Sequence, residues 1–261
     1  MDAIFQHFRK EEQPYIESMI SLTRDVEDRY APRLTDFLDP RQRFILQTLY
    51  QQRGLVGFPF GGFQDAERQR VLVAPDYYQP EEQDEQITIF KISYPTKFVT
   101  LKHSDVLGSL MSLGLDRSKF GDIRVHDGVA QFAAAQEISD YVRTNLTSIG
   151  KVKVQAEDAA PEEVLHKDSE EWLTELHILS SMRLDTVLAS AWNISRQKSA
   201  AFIKGGKVKV NWSVVEDGSF VLNESDVVSL RTFGRFQIGL VEGRTKKEKI
   251  RLQLLKIEQK R

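Results

Sequence analysis

The chain of 261 residues contains no cysteine. Disulfide bonds, thiolate catalysis and metal centres held by cysteine sulfur are therefore excluded. No run of 18 apolar residues occurs, so the sequence predicts no membrane-spanning helix. The first five residues lack the basic and apolar regions of a signal peptide. Together these absences lead us to expect a cytoplasmic protein.

Sequence signatures of catalysis and cofactor binding are absent as well. No Gly-x-Gly-x-x-Gly follows a predicted strand, and there is no Walker A sequence. His126-Asp127 is better explained as a strand end and turn than as an acid–base pair, and Gly61-Gly62 as a packed turn than as a phosphate loop. None of the histidines has the spacing of a helical metal-ligand pair; they are His7, His103, His126, His166 and His177. We predict no cofactor, no metal, no catalytic residue and no enzymatic activity.

Charge is distributed unevenly along the sequence. Residues 183–261 hold 16 lysines and arginines and 8 acidic residues, a balance of +8. The remaining residues hold 20 basic and 30 acidic side chains, a balance of −10. Such an asymmetry suggests an anionic partner for the basic end, although a basic tail that only aids solubility has the same signature.

Hydrophobic periodicity predicts an α+β protein of three domains. Residues 1–78 have apolar positions at mixed three- and four-residue spacings and predict a mostly helical N-terminal domain, with one helix starting near Pro40. A short strand is expected at Val71–Ala74. The polar acidic stretches 79–86 and 159–171 are predicted linkers.

Residues 84–158 show the order β-α-β-β-α-β, which is typical of a ferredoxin-like domain. The predicted elements are a strand at 87–92, a helix at 104–113, a hairpin around Asp127-Gly128, a helix at 136–149 and a last strand at 151–154. This fold also hosts RNA-recognition modules, whose central strands carry stacking aromatic residues. Because the third strand offers only Phe132, a packing or interaction domain is favoured, and RNA contact stays open.

Residues 180–261 form the third predicted domain, with two short helices, a β-hairpin and a closing hairpin. Ser195 stands where a helix N-cap belongs, and Gly205-Gly206 stands where that helix ends. A helix start exposes backbone N–H groups and suits a phosphate, so Arg196 and Lys198 in the first turn are easier to understand if an anion binds. Lys207 and Lys209 point away from the buried face of the following strand.

These observations predict a surface that binds RNA backbone. Its predicted RNA-binding residues are Arg183, Ser195, Arg196, Lys198, Lys204, Lys207, Lys209 and Asn211. A candidate extension of the surface comprises Trp212, Arg231, Arg235, Arg244, Lys246 and Lys247. The basic turn at 244–247 is explained equally well as a solvated turn.

Residues 183–235 resemble the S4 RNA-binding domain, whose αL-type motif consists of two helices and a hairpin. The family's Arg-Leu-Asp opening, its Ser-Arg helix start, the beginning of its first strand and its later Asp-Val strand match four segments: residues 183–185, 195–196, 203–211 and 226–227. The family often places glycine after the asparagine, where Trp212 stands here. The type of turn at Asn211-Trp212 is therefore open, and Trp212 could pack on the hairpin or stack on a base.

The whole chain resembles the YlmH family of bacterial S4-domain proteins, which are encoded near cell-division genes. The resemblance rests on the S4 segment, the ferredoxin-like middle and the short motifs at 61–63, 66–68, 233–236 and 243–247. It implies a cytoplasmic RNA-binding protein associated with the ribosome. Related free-standing S4 proteins hold the large subunit with peptidyl-tRNA after stalled translation, which implies a role in ribosome-associated quality control.

The sequence leaves three hypotheses. The first is a non-catalytic protein that binds ribosomal RNA, tRNA or both, with the large ribosomal subunit as its partner. The second is an RNA-modifying enzyme of the pseudouridine synthase or methyltransferase type that grips its substrate with the S4 domain. The third is a division-linked interaction protein. A deep pocket with convergent ionisable groups in residues 1–160 would favour the second hypothesis.

Overall fold

A computed structural model describes residue 8 and residues 10–165, 173–231 and 233–258. The chain divides into two compact units, Met1–Lys167 and Asp168–Arg261. No helix within the described ranges is both long and apolar enough to span a bilayer. The predicted linker at 159–171 lies partly outside the described residues, and His166 lies outside them entirely.

The N-terminal part of the first unit combines two helices with a small sheet. Helix α1 (Gln13–Arg29) and helix α2 (Pro40–Gln51) pack against strands β1 (Arg33–Leu34), β2 (Val56–Phe60) and β3 (Arg70–Ala74). The antiparallel strand order is β1-β3-β2. Asp39 and Gln42 form a capping box before α2, and Pro40 occupies its first turn. The sequence predicts α2 and β3, while β1 and β2 are additional elements.

The middle part is a four-stranded antiparallel sheet with two helices. Its elements are β4 (Ile87–Ser93), α3 (His103–Ser112), β5 (Phe120–His126), β6 (Val129–Ala135), α4 (Ser139–Asn145) and β9 (Gln155–Asp158). The strand order is β5-β6-β4-β9. Phe90 and Phe132 stack at 5.1 Å in the core beside Phe120. Asp127 and Gly128 both have positive φ, as a primed hairpin turn requires.

Two predicted boundaries in the middle part are wrong. The last strand of the sheet is β9, whereas the predicted strand at 151–154 contributes to a separate hairpin of β7 (Ser148–Ile149) and β8 (Val152–Lys153). The predicted helix at 136–149 is a 3₁₀ turn followed by the short helix α4. Both segments carry apolar residues at spacings that suit either element, so the pairing partner decides the outcome.

The N-terminal and middle parts share buried contacts. Phe37, Phe63 and Ala66 join the hydrophobic core of the middle sheet. The Asp122 carboxylate accepts hydrogen bonds from the backbone N–H groups of Glu67 (2.7 Å) and Arg68 (3.0 Å). The Arg68 guanidinium donates to the carbonyl oxygens of residues 37 (2.7 Å) and 120 (3.3 Å). These bonds satisfy part-buried backbone groups on both sides and join the two parts within the compact unit Met1–Lys167.

The second unit is a six-stranded antiparallel sheet with two helices. Helices α5 (Leu184–Ala191) and α6 (Arg196–Lys204) accompany β10 (Leu173–Leu179), β11 (Val208–Val210), β12 (Ser213–Val214), β13 (Val227–Leu230), β14 (Gly234–Arg244) and β15 (Ile250–Glu258). The strand order is β10-β15-β14-β13-β11-β12. The helices and the closing hairpin agree with the sequence, and β10 is an edge strand that the sequence did not indicate.

We expect Asp122→Ala to lower the free energy of unfolding of the first unit by about 2–3 kcal/mol, because two backbone N–H groups lose a charged acceptor. Urea unfolding followed by circular dichroism would measure this loss. Circular dichroism reports both units. All three tryptophans lie within residues 168–261, so tryptophan fluorescence reports the second unit alone and identifies its transition. Asp140→Ala is the control, since its carboxylate is fully exposed. Equal losses in both variants would contradict the prediction.

Candidate nucleic-acid interface

The carboxylate of Asp185 gathers two of the predicted arginines. The Arg183 guanidinium donates to it at 3.1 and 3.2 Å, and that of Arg196 donates at 2.9 Å. Asp185 is buried, whereas 61% of the Arg196 side chain is exposed. The Ser199 hydroxyl anchors the same turn of α5 by donating to the Asp185 carbonyl oxygen at 2.9 Å. The opening of α5 and the start of α6 are thereby fixed to each other.

The protonation of Asp185 follows from this arrangement. Burial by itself would raise the pKa of the carboxyl group, but hydrogen bonds from Arg183, Arg196 and Thr186 outweigh it and lower the pKa to about 2. The carboxylate is therefore ionised at neutral pH and keeps both arginines oriented. Each guanidinium retains N–H groups beyond those that Asp185 accepts, because a guanidinium carries five.

The start of α6 is capped by Ser195, as the sequence predicts. The Ser195 hydroxyl accepts a hydrogen bond from the backbone N–H of Lys198 at 3.2 Å and caps the helix. Its side chain is thus already engaged as a cap. Arg196, Lys198 and Lys204 are exposed along the helix. The positive end of the helix dipole adds to their charge.

A partly buried aromatic ring brings the helix and the strand together. The ammonium groups of Lys198 and Lys207 lie 5.9 and 5.6 Å from the centroid of the Phe202 ring. Phe202 also contacts Phe233 at 5.6 Å. The sequence analysis did not single out Phe202, although its position four residues after Lys198 places both on one face of the helix.

The strand register places Lys207 and three further cations on one face of the sheet. Lys209 pairs with Ser229, which pairs with Arg235, so their side chains point to the same side. The backbone N–H of Arg231 donates to the Lys207 carbonyl oxygen at 3.1 Å, which continues the same row. Lys207, Lys209 and Arg231 are exposed and Arg235 is partly exposed, while Val208 and Val210 are buried on the opposite face as predicted.

Asn211 stabilises the fold with its side chain. Its amide N–H donates to the carboxylate of Asp226 at 2.8 Å, and its carbonyl oxygen accepts from the backbone N–H of Val227 at 2.9 Å. Asp226 is buried and accepts a further bond from the backbone N–H of Asn223. The asparagine and aspartate of the sequence motif therefore hold β11 against the start of β13.

The turn at Asn211-Trp212 is of the primed type. Val210 pairs with Ser213, and the two residues between them have φ values of 48° and 66°. Glycine is the usual residue at the second position, because a bulky side chain at positive φ is strained. Trp212 is partly exposed in this strained position, next to the strand that carries Lys209.

The candidate extension divides into two groups. Arg231 and Arg235 adjoin Lys207 and Lys209, whereas Arg244, Lys246 and Lys247 belong to the far end of β14 and the turn that follows it. Strand β14 is bulged between Arg235 and Arg244, and their partners Ile257 and Ile250 are seven residues apart on β15. At about 3.3 Å per residue this separates the two arginines by roughly 23 Å. Arg244 also donates to the Glu248 carbonyl oxygen at 3.1 Å. The two groups therefore cannot contact the same phosphate.

The chemistry available here is anion binding. Guanidinium and ammonium groups, a helix start and a strand row provide positive charge and N–H donors, and the described residues contain no cluster of three or more metal-ligating side chains. Lys256 is an exception among the cations of the basic half, because it is buried with its ammonium 4.6 Å from the Trp192 ring centroid. It therefore does not add to the exposed positive surface.

Comparison with known proteins identifies relatives that span the chain. Family models match residues 11–78 ("YlmH, N-terminal"), 80–163 ("Putative RNA-binding domain in YlmH") and 182–228 ("S4 domain"). The chain is 42% identical to the "Ribosome-associated protein quality control protein P2" of Bacillus subtilis (strain 168), over 97% of this chain and 98% of that protein. A solved structure, "Cell division protein ylmH from Streptococcus pneumoniae", has 37% sequence identity and a TM-score of 0.53, covering 60% of this chain and 96% of that one.

We expect the stability of the second unit to depend on Asp185 in a pH-dependent way. Because the pKa is lowered on folding, the stabilisation is complete above the ordinary value near 3.8 and is lost as the pH falls through about 2. The free-energy difference between wild type and Asp185→Asn should shrink by about 2 kcal/mol between about pH 6 and about pH 2. Urea unfolding followed by tryptophan fluorescence measures it, and a difference independent of pH would refute this role.

Proposed function

Because the chain belongs to the YlmH family, we propose that it binds ribosomal RNA, tRNA or both through its S4 domain. In this proposal it acts without catalysis, on the large ribosomal subunit, in ribosome-associated quality control. The name of the B. subtilis relative supports the ribosomal role. We also propose a cytoplasmic location, which the same relationship supports.

One observation carries the proposal, namely the convergence of cations from three segments on one surface. Asp185 holds Arg183 and Arg196, and Phe202 lies between Lys198 and Lys207. Ordered cations lose less conformational freedom on binding than free ones, so this surface suits an RNA backbone. Contacts of this kind position a protein on RNA without reading its sequence. Shape or the single-stranded parts of the RNA then supply specificity.

We also propose that residues 84–158 are a ferredoxin-like domain and that residues 1–78 and 180–261 are the other two domains. The order β5-β6-β4-β9, with every neighbouring pair antiparallel, supports the middle assignment. The proposed domain 180–261 lies within the second compact unit, Asp168–Arg261, which also contains β10.

The enzyme hypothesis receives less support from the ionisable groups of the first unit. Burial and the nearby Arg68 lower the pKa of Arg117 to about 10, and Arg117 donates to the carbonyl oxygens of residues 120 and 121. Arg68 and Asp122 likewise bond to backbone groups. These contacts explain the groups as structural links. The name of the S. pneumoniae relative, a cell division protein, is the reason to keep the division-linked hypothesis as the second candidate.

Sucrose-gradient sedimentation of cell lysate tests the proposal. We expect the wild-type chain to migrate with large subunits at low salt and Arg196→Glu/Lys198→Glu to stay at the top of the gradient, because charge reversal repels the RNA backbone. Arg29→Glu/Arg53→Glu is the matched control, since it changes the net charge equally within the other unit. It should sediment like the wild type.

Two outcomes would reject the proposal. If the wild type stays at the top even at low salt, stable ribosome association is wrong. If both charge-reversed variants lose association equally, net charge rather than the S4 surface is responsible. Recovery of division proteins after nuclease treatment, without ribosomes, would favour the division-linked hypothesis.

Trp212 allows stability and RNA binding to be separated. We expect Trp212→Gly to retain the fold, because glycine relieves the positive φ of the turn. If Trp212 stacks on a base, the same change should weaken binding to purified large subunits by about 1–3 kcal/mol. Microscale thermophoresis together with urea unfolding would measure both effects. Unchanged affinity would assign the ring to the hairpin alone.

A further inference from the structure

RNA-recognition modules bind bases on the open face of their sheet, opposite the helices. In the middle part of this chain, the corresponding face is covered. Phe90 and Phe132 lie on the helix-covered face, so Lys91, Gln131 and Arg124 mark the opposite face. Gln131 is fully buried there and bonds to the backbone of residues 163 and 165 at 2.7 and 2.8 Å.

Two segments of the N-terminal part cover the rest of this sheet face. The Arg124 guanidinium lies 4.2 Å from the Phe63 ring centroid and donates to Asp65 at 3.0 Å. Phe37 packs so closely on Gly121 that a Cβ there would lie 2.7 Å from its ring. The N-terminal part therefore occupies the central face, and Phe132 has no route to a base. RNA contact by this part must involve another surface.

One end of the same sheet is basic. Residues 86–104 and 141–156 contain no aspartate or glutamate, although residues 1–182 are acidic as a whole. Ser93 pairs with Gln155, so the segments 94–102 and 147–154 leave neighbouring strands at the same end. We call these two segments the basic end. Its exposed lysines are Lys97, Lys102, Lys151 and Lys153.

Two carboxylates near the basic end are already engaged. Asp105 accepts a hydrogen bond from the backbone N–H of Lys102 at 3.0 Å and starts α3. Asp127 of the neighbouring hairpin turn lies 3.2 Å from the His126 ring. The two segments of the basic end contain four lysines and no carboxylate, so their own net charge is positive.

Phe98 is the most exposed large apolar side chain of the described residues, with 86% of its surface accessible. It ends a turn in which its backbone N–H donates to the Pro95 carbonyl oxygen at 3.1 Å. Lys97 precedes it directly, and Lys102 follows four residues later. An exposed aromatic ring among cations is the arrangement with which proteins stack single-stranded bases while neutralising phosphates.

We propose that the basic end is a second RNA-binding surface, on which Phe98 stacks against an unpaired base and the four lysines contact the adjoining phosphates. This inference rests on the proposed function, because it assumes that the natural partner is RNA. It assigns the contact to loop residues at the end of the sheet, instead of to the sheet face.

Ultraviolet cross-linking of the full chain to oligouridylate of ~12 nucleotides tests the position of the contact. Trypsin releases residues 98–102 as one peptide, because Lys97 precedes it and Lys102 ends it. We expect a uridine adduct on this peptide in the wild type and in Arg196→Glu/Lys198→Glu. The Arg196→Glu/Lys198→Glu variant removes competition for the oligouridylate by the S4 surface.

Affinity measurements in the Arg196→Glu/Lys198→Glu background test the chemistry. Phe98→Ala should weaken the Kd for the oligouridylate by about tenfold. Lys97→Gln/Lys102→Gln should reduce the slope of log Kd against log salt by about 1.4, at about 0.7 for each phosphate contact. Tyr77→Ala is the control, because Tyr77 is 66% exposed beside acidic residues. It should leave the Kd unchanged.

The outcomes separate this inference from the proposed function. Adducts confined to residues 183–258, with an unchanged Kd in Phe98→Ala, would overturn the inference and leave the S4 surface intact. A different outcome would support the inference and reject the S4 proposal. In that case the 98–102 peptide carries an adduct, and Arg196→Glu/Lys198→Glu sediments with ribosomes like the wild type. Equal weakening by Phe98→Ala and Tyr77→Ala would also overturn the inference.

Discussion

Asp185 is the residue on which the geometry of the basic surface depends. Two guanidinium groups close together repel each other, and each long side chain has many rotamers in water. The shared carboxylate offsets the repulsion and selects one arrangement, while the Asp185 carbonyl oxygen accepts the Ser199 hydroxyl of α6. One residue thus joins the packing of α5 and α6 to the orientation of Arg183 and Arg196, so changes in the helix packing must also alter the charged surface.

Local sequence signals predicted the C-terminal unit well because its elements are consecutive and strongly patterned. The cap at Ser195, the stop at Gly205-Gly206 and the alternation through Lys209 each depend on neighbours within a few residues. What the sequence could not provide is the use of each polar side chain. The sequence predicts Asn211 as a binding residue. In the structure, its side-chain amide forms hydrogen bonds with the Asp226 carboxylate and the Val227 backbone N–H. Such assignments require the long-range pairing of strands.

The failures of sequence reasoning have the same physical origin. Strand β10 exposes Leu176 and Ile178 on its outer face, so its alternation lacks the usual contrast between apolar and polar residues. Lys256 points inward and is buried, whereas a charge count assigns it to the surface. In the middle part, by contrast, Phe132 lies in the core, as the favoured packing interpretation predicts. Strand parity and pairing register decide these cases, and neither is encoded locally.

The acidic residues of the first unit affect how RNA would bind at the proposed basic end. A uniformly basic surface binds RNA in many registers, because phosphate contacts do not depend on sequence. Here the excess of ten acidic charges over residues 1–182 repels RNA, whereas the segments 94–102 and 147–154 carry cations and no carboxylate. Repulsion from wrong registers is as effective a source of specificity as attraction to the right one. The charge asymmetry of the chain therefore favours a few defined contacts over general affinity for RNA.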